Sequence, residues 1–398
     1  MNGTVRLHRL TMVADTEGVM VGRPDTGSYA VFPEEGAQAL RMLLDGAPVD
    51  AVGDWYERTT GDPLDTDDFL ETLDELGFLR IGEPLAEQRP VRWQGLGRAL
   101  FSWPAWLAYG ALVAAAVTMM VRDPGLRPSY HQVFFTHYLT LIPLSVFALA
   151  LPCIVVHEAF HALAGRRLGL PSTLGIGRRL YYLVAETRLD SLLSVERRKR
   201  YLVFCAGMLA DVVLLCGFTL LSVALDTNAI PSWIHKLCLA VAFTCVLRLI
   251  WQLLFYLETD IYYVVTTATG CTDLQNATRF RLRSGFRRAL RLAPPVADTE
   301  WSGRDRAATR WYAPLLFAGY GFSLASLAWA GIPTAVHFWT TVADRLGAPD
   351  TPFWDLVDAA GFLLLSGLQI GLLVHVTLRD RRARTRNRRP TSPEEALT

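Results

Sequence analysis

With 398 residues, 51% of them hydrophobic, and a mean hydropathy of +0.24, the chain carries more apolar surface than soluble cores of this size need, which argues against an ordinary cytosolic enzyme. Its net charge of +1 conceals a segregation: residues 34–75 hold thirteen acidic side chains against Arg41 and Arg58, whereas basic residues crowd between apolar runs. Five of the six cysteines (all but Cys271) lie inside those runs, which argues against a disulfide-stapled secreted fold.

The first six residues lack the apolar core of a signal peptide, so the N-terminal part is expected to stay in the cytoplasm. Strand-like pieces at 5–10, 19–22 and 28–32 are separated by turn signals at Asp15-Thr16-Glu17-Gly18 and Pro24-Asp25-Thr26-Gly27. Three helical patterns follow. Ala37, Leu40, Leu43 and Leu44 share a face that stops at Gly46; a second helix covers 49–60 and ends at Gly61; Phe69, Leu70, Leu73 and Leu76 mark a third, with Asp65 or Thr66 as cap and Gly77 as stop. Phe78 to Ile81 is expected to close a winged-helix-like α+β domain over residues 1–82. Its acidic surface is wrong for phosphate backbones, which excludes nucleic acid and leaves a peptide as the better partner.

A linker at 83–98 carries Pro84 and Pro90, and apolar runs then recur at 99–121, 133–164, 201–225, 230–268, 311–332 and 354–378. The fold class expected is mainly α, a polytopic membrane bundle of about six transmembrane helices over 99–378, with a basic tail at 379–398. The second run contains Pro152, which either bends one helix or divides two. The fourth run is too long for one straight helix, so a break is expected near Glu258-Thr259-Asp260. Nine, nine and seven Arg or Lys residues fill 165–200, 269–310 and the tail, against two, none and one in the alternate connections. The positive-inside rule places the first set, and both termini, in the cytoplasm of a multi-pass protein of the cell membrane.

Within the second run stands His157-Glu158-Ala159-Phe160-His161. Residues i and i+4 project from one helical face, which suits two imidazole ligands of one Zn2+ ion, and Glu158 is then placed to exchange protons with water. The topology sets this motif about 14 Å or less from the cytoplasmic edge. A third ligand is needed; Asp260 reaches the same depth in the fourth run, and Glu258 is its rival. Asp211 has two readings, an ion pair with Arg248 or a substrate contact near the zinc. His137, His235 and His375 lie near span ends and read as interfacial. Arg and apolar residues share the stretch 280–292, which could rest on anionic lipid.

Two resemblances bear on function. Thr26-Gly27-Ser28-Tyr29, Leu43-Leu44-Asp45-Gly46, Asp68-Phe69-Leu70 and Leu76-Gly77-Phe78-Leu79 resemble the PqqD-like family, which implies capture of a leader peptide as an added strand beside residues 28–32. His157-Glu158-Ala159-Phe160-His161-Ala162-Leu163-Ala164, with Leu257-Glu258-Thr259-Asp260-Ile261-Tyr262-Tyr263, resembles the site-2 protease family of intramembrane zinc metalloproteases. That likeness implies metal ligands His157, His161 and Asp260 and catalytic Glu158. The family's N-P-D-G keeps only Asp260 here, and in Gly207-Met208-Leu209-Ala210-Asp211 an Asp stands where its Asn is usual. Together the likenesses imply a zinc metalloendopeptidase cleaving a peptide or membrane-anchored precursor, in concert with peptide-maturation or export proteins. The alternative is a non-catalytic membrane partner that captures a leader peptide.

Overall fold

The computed structural model describes residues 5–80 and 91–387, apart from 16–17, 25, 134, 137, 139, 180–181, 190–191, 193, 228–229, 294–300, 327, 329–331 and 348–351. His137, residues 83–90 of the linker and residues 388–398 of the tail therefore lie outside the described residues.

Strands β1 (Thr11–Asp15), β2 (Gly18–Arg23) and β3 (Ser28–Phe32) form an antiparallel sheet in the order β1-β2-β3. The pairing of Asp15 with Gly18 sets the register, and this places the first strand at 11–15 and not at the expected 5–10. Residues 6–8 instead meet 78–80 through His8 N to Phe78 O (2.9 Å) and Arg80 N to Arg6 O (2.8 Å). Helices α1 (Glu34–Leu44), α2 (Val49–Thr60) and α3 (Thr66–Glu75) follow the apolar spacing. Asp65 caps α3 by accepting from Asp68 N at 3.1 Å, and Gly61 ends α2 in the left-handed region (φ 84°). Val21, Leu40, Val52, Leu73 and Phe78 form the core beneath the sheet.

Helix α4 (Gln94–Leu100) begins inside the stretch expected as linker and leads into α5 (Trp103–Arg122), and α6 (Leu141–Arg167) carries the histidine motif. Pro152 sits inside α6 without dividing it. The last helix secures the start of α6: Thr140 donates its N–H to Asp358 Oδ1 (2.8 Å) and its hydroxyl to Asp358 O (2.6 Å). A hairpin, β4 (Thr173–Arg179) and β5 (Tyr182–Arg188), then folds back against α6. It corrects the reading of 165–200 as a plain basic loop, in which the nine Arg and Lys residues outweighed the apolar positions Leu174, Ile176, Leu183 and Val184 of these strands. Helix α7 (Arg197–Leu225) packs on α5, α6, α8 (Ser232–Gln252) and α9 (Asp260–Thr269). The expected break is present but starts at residue 253, with a short 3-10 turn at Phe255–Leu257 before α9.

Helices α10 (Leu274–Ala289), α11 (Gly303–Ser326), α12 (Ile332–Gly347) and α13 (Phe353–Asn387) follow among the described residues. Among the described residues, α5, α6, α7, α8 and the Phe353–Leu372 part of α13 are long and apolar enough to cross a membrane. α11 takes up the start of the run at 311–332, and α12 is a helix where a connection was expected. The protein is a polytopic helical membrane protein with a small N-terminal sheet-and-helix unit.

Because Leu73 is fully buried in that unit, Leu73→Ala should cost about 2–5 kcal/mol there. Hydrogen exchange should rise across residues 5–80 and stay unchanged in α6 and α7; equal rises in both would show that the unit's core is not its own.

Candidate metal centre

His157, Glu158 and His161 project from α6 into the bundle, each only 7% exposed. Water cannot satisfy such groups, so each nitrogen needs a partner inside the protein. His157 Nδ1 lies 3.0 Å from Asp211 Oδ2, and His161 Nδ1 lies 2.7 Å from Val203 O. A carboxylate and a carbonyl only accept, so both Nδ1 atoms carry a proton, and in the neutral ring each Nε2 then presents a lone pair.

Those lone pairs point at one another and at a carboxylate. His157 Nε2 and His161 Nε2 are 3.2 Å apart, and Asp260 Oδ2 is 3.3 Å from the first and 3.2 Å from the second. Three acceptors in a near-equilateral triangle repel unless a cation or extra protons stand among them. Tetrahedral zinc with bonds of about 2.0–2.1 Å keeps its ligand atoms about 3.3–3.4 Å apart, so the donor set and its spacing both fit this ion.

Two further elements make the convergence feasible. On α7, Val203, Gly207 and Asp211 recur every four residues and form one stripe facing the motif. Gly207 supplies room: a Cβ there would overlap Nε2 of both histidines. At the break, Thr259 Oγ1 donates to Gln252 O (2.8 Å) and Asp260 N donates to Gln252 Oε1 (2.9 Å), which starts α9 with Asp260 as its first residue. A carboxylate is favoured at that helix end. Stacking of Phe204 on Tyr263, with centroids 5.4 Å apart, holds α9 to α7.

The structure brings Asp260 to the histidine pair and turns Glu258 away, to Arg279 Nη2 at 3.2 Å. Glu258 adopts a left-handed backbone (φ 57°), which reverses the chain between the two acids. Arg279, on α10 outside the spans, is pushed above its usual range: burial opposes its charge, but the Tyr320 hydroxyl (3.0 Å) and Glu258 outweigh burial. Asp211 has both oxygens engaged, Oδ2 by His157 and Oδ1 by Arg248. His235 pairs with Asp226 at 3.5 Å, and His375 is exposed on α13.

Sequence reasoning missed Thr187 on β5, whose hydroxyl donates to Glu158 Oε2 at 2.7 Å and lies 3.0 Å from Glu158 O. No local pattern marks it, because its strand was not recognised. Gln252 was visible as an amide within an apolar run, yet its clasp on the break was not.

No protein-family model, curated protein or solved structure matches the chain. The chain is a helical membrane protein whose buried His157 and His161 and half-buried Asp260 form a cluster that could hold a metal ion, consistent with the coarse architecture of a metalloenzyme set in the bilayer.

Gly207→Ala tests this centre. Alanine favours the helix, so α7 should persist, while its methyl group displaces the Nε2 atoms. Zinc affinity should fall about tenfold or more at unchanged helicity, as read by metal analysis and circular dichroism of detergent-purified protein. Wild-type affinity in this variant would mean that the metal does not bind among these three residues.

Proposed function

We propose that the protein is a zinc-dependent intramembrane peptidase of the site-2 protease-like class, with an N-terminal PqqD-like unit that captures a peptide for it. The observation that carries this reading is the triangle of His157, His161 and Asp260 acceptor atoms, 3.2–3.3 Å apart, with Glu158 on the same helix. A zinc ion held by these residues supplies Lewis acidity to the scissile carbonyl and to water.

The remaining steps fall to the chain's own groups. Glu158 takes a proton from the attacking water as the new C–O bond forms, and returns it to the amine nitrogen as the C–N bond breaks. Thr187 orients the Glu158 carboxylate from the hairpin, which places extended backbone beside the reacting residues. The surrounding apolar helices keep bulk water low, so a peptide reaches the site more readily than a soluble protein does.

The substrate in this reading is a peptide or membrane-anchored precursor cut near the cytoplasmic side, and modified-peptide maturation, with its export proteins, is the setting. Both termini lie in the cytoplasm of the cell membrane, in keeping with the basic connections. Among the described residues strand β3 pairs in the sheet with β2, and strand addition at its other edge is the mode by which a peptide would bind. The acidic α2–α3 surface suits a peptide and not a nucleic acid.

Glu158→Gln should keep bound zinc while cleavage falls by about 100- to 10,000-fold. Detergent-purified wild-type and variant proteins, each incubated with solubilised membrane peptides of the host, are compared by mass spectrometry of newly formed peptide termini. Equal cleavage by both would sink the mechanism, and none by either would leave a peptide-capturing partner in its place.

A further inference from the structure

Asp211 and Arg248 lie behind the metal ligands. Asp211 is fully buried on α7 and cannot reach a substrate, since both its oxygens are spent on protein partners. Arg248 comes from α8, with Nε at 2.9 Å and Nη2 at 2.7 Å. A plain helix-to-helix ion pair would use both carboxylate oxygens in a parallel fork. Here both guanidinium nitrogens converge on Oδ1 alone, which leaves Oδ2 for His157 Nδ1 at 3.0 Å.

The two histidines are thus supported unequally. His161 leans on the Val203 backbone carbonyl, which any residue at 203 would supply, whereas His157 leans on a charged side chain with its own counter-ion. Charge bookkeeping gives the arrangement a purpose. A dication together with ionised Asp260, Asp211 and Glu158 and cationic Arg248 is neutral overall, the state that a low-dielectric site favours. Without Arg248 the group carries an excess negative charge, and without Asp211 an uncompensated guanidinium stands behind His157.

We propose that Asp211 is a positioning residue that holds the His157 ring with Nε2 toward the metal, and that Arg248 supplies the counter-charge that lets a second carboxylate sit there. This rests on the reading of the cluster as a metal centre, and concerns how that centre is held and balanced. Asp211 acts through His157 and touches no reacting atom. A carboxylate behind a ligating imidazole fixes its tautomer and raises its basicity, and loss of such a partner typically weakens metal binding by about 10–100-fold.

The test is metal binding, not turnover. Zn2+ affinity of detergent-purified full-length protein is measured by competition with a chromophoric chelator, and the Co2+-loaded protein is examined by visible absorption. Asp211→Asn should weaken Zn2+ binding by about 100-fold and shift the Co2+ bands, because the amide can turn its NH2 toward His157 and leaves Arg248 unpaired. Arg248→Met should lose less, since Asp211 Oδ2 still meets the ring. The double variant should recover to about tenfold below the wild type, because the orphaned cation goes with its partner. Asp211→Asn within twofold of the wild type with an unshifted Co2+ spectrum overturns the proposal, as do single losses that merely add in the double variant. Should Asp211→Asn not survive purification, the double variant decides: a tenfold loss upholds the proposal and wild-type affinity overturns it. A wild-type protein that binds no Zn2+ overturns both this and the metal-centre reading, whereas wild-type binding indifferent to Asp211 overturns this alone.

Discussion

Three acceptor atoms aimed at one point inside an apolar bundle impose the constraint that the neighbouring helices are arranged to meet. His157 Nε2, His161 Nε2 and Asp260 Oδ2 would push apart if left alone with no proton or cation among them, and little solvent is at hand to screen them. Their positions persist because each is held from behind. The Asp211 carboxylate and the Val203 carbonyl fix the two rings, and the Gln252 amide fixes the backbone of Asp260.

Most of that support comes from α7, which packs against α5, α6, α8 and α9. Its stripe of Val203, Gly207 and Asp211 does three different things in three successive turns: it accepts a hydrogen bond, it makes room, and it carries charge. A single helix can do so because residues four apart share a face, so one rotation of α7 sets all three. The break before α9 is the complementary device. A continuous helix from α8 would present Asp260 sideways to the bundle, whereas restarting at Asp260 gives the carboxylate a helix N-terminus and a new direction.

Much of this was legible in the sequence wherever one residue type or one period carries the information. Helices α1 to α3, the long apolar spans and the interruption near Asp260 follow from periodicity, length and caps. The histidine pair is readable because i and i+4 alone place both rings on one face. What stayed hidden depends on helix rotation and on partners far apart in the chain. Asp211 and Arg248 could be named as polar residues in spans, but not which of them faces His157. The β4–β5 hairpin escaped because Leu174-Gly175-Ile176-Gly177 lies in a stretch whose arginines read as a solvated loop, and Thr187 escaped with it. The first strand slipped because apolar residues at 5–10 and 11–15 look alike until the pairing of Asp15 with Gly18 sets the register.

The same arithmetic explains why the site and the fold are not separable in such a bundle. A soluble enzyme can leave an unused ligand set to water, at little cost to its core. Here a cation that fits among the three acceptors relieves a repulsion that the helices otherwise bear, so its binding free energy is in part packing free energy for α6, α7 and α9. The polar groups are costly to bury, and the chain offsets that cost with internal partners: Asp211 with Arg248, Glu158 with Thr187 and Glu258 with Arg279. Each of those partners lies on a different element from the residue that it satisfies. The hydrogen bonds that make the cluster tolerable are therefore the ones that lock α8, the hairpin and α10 around it.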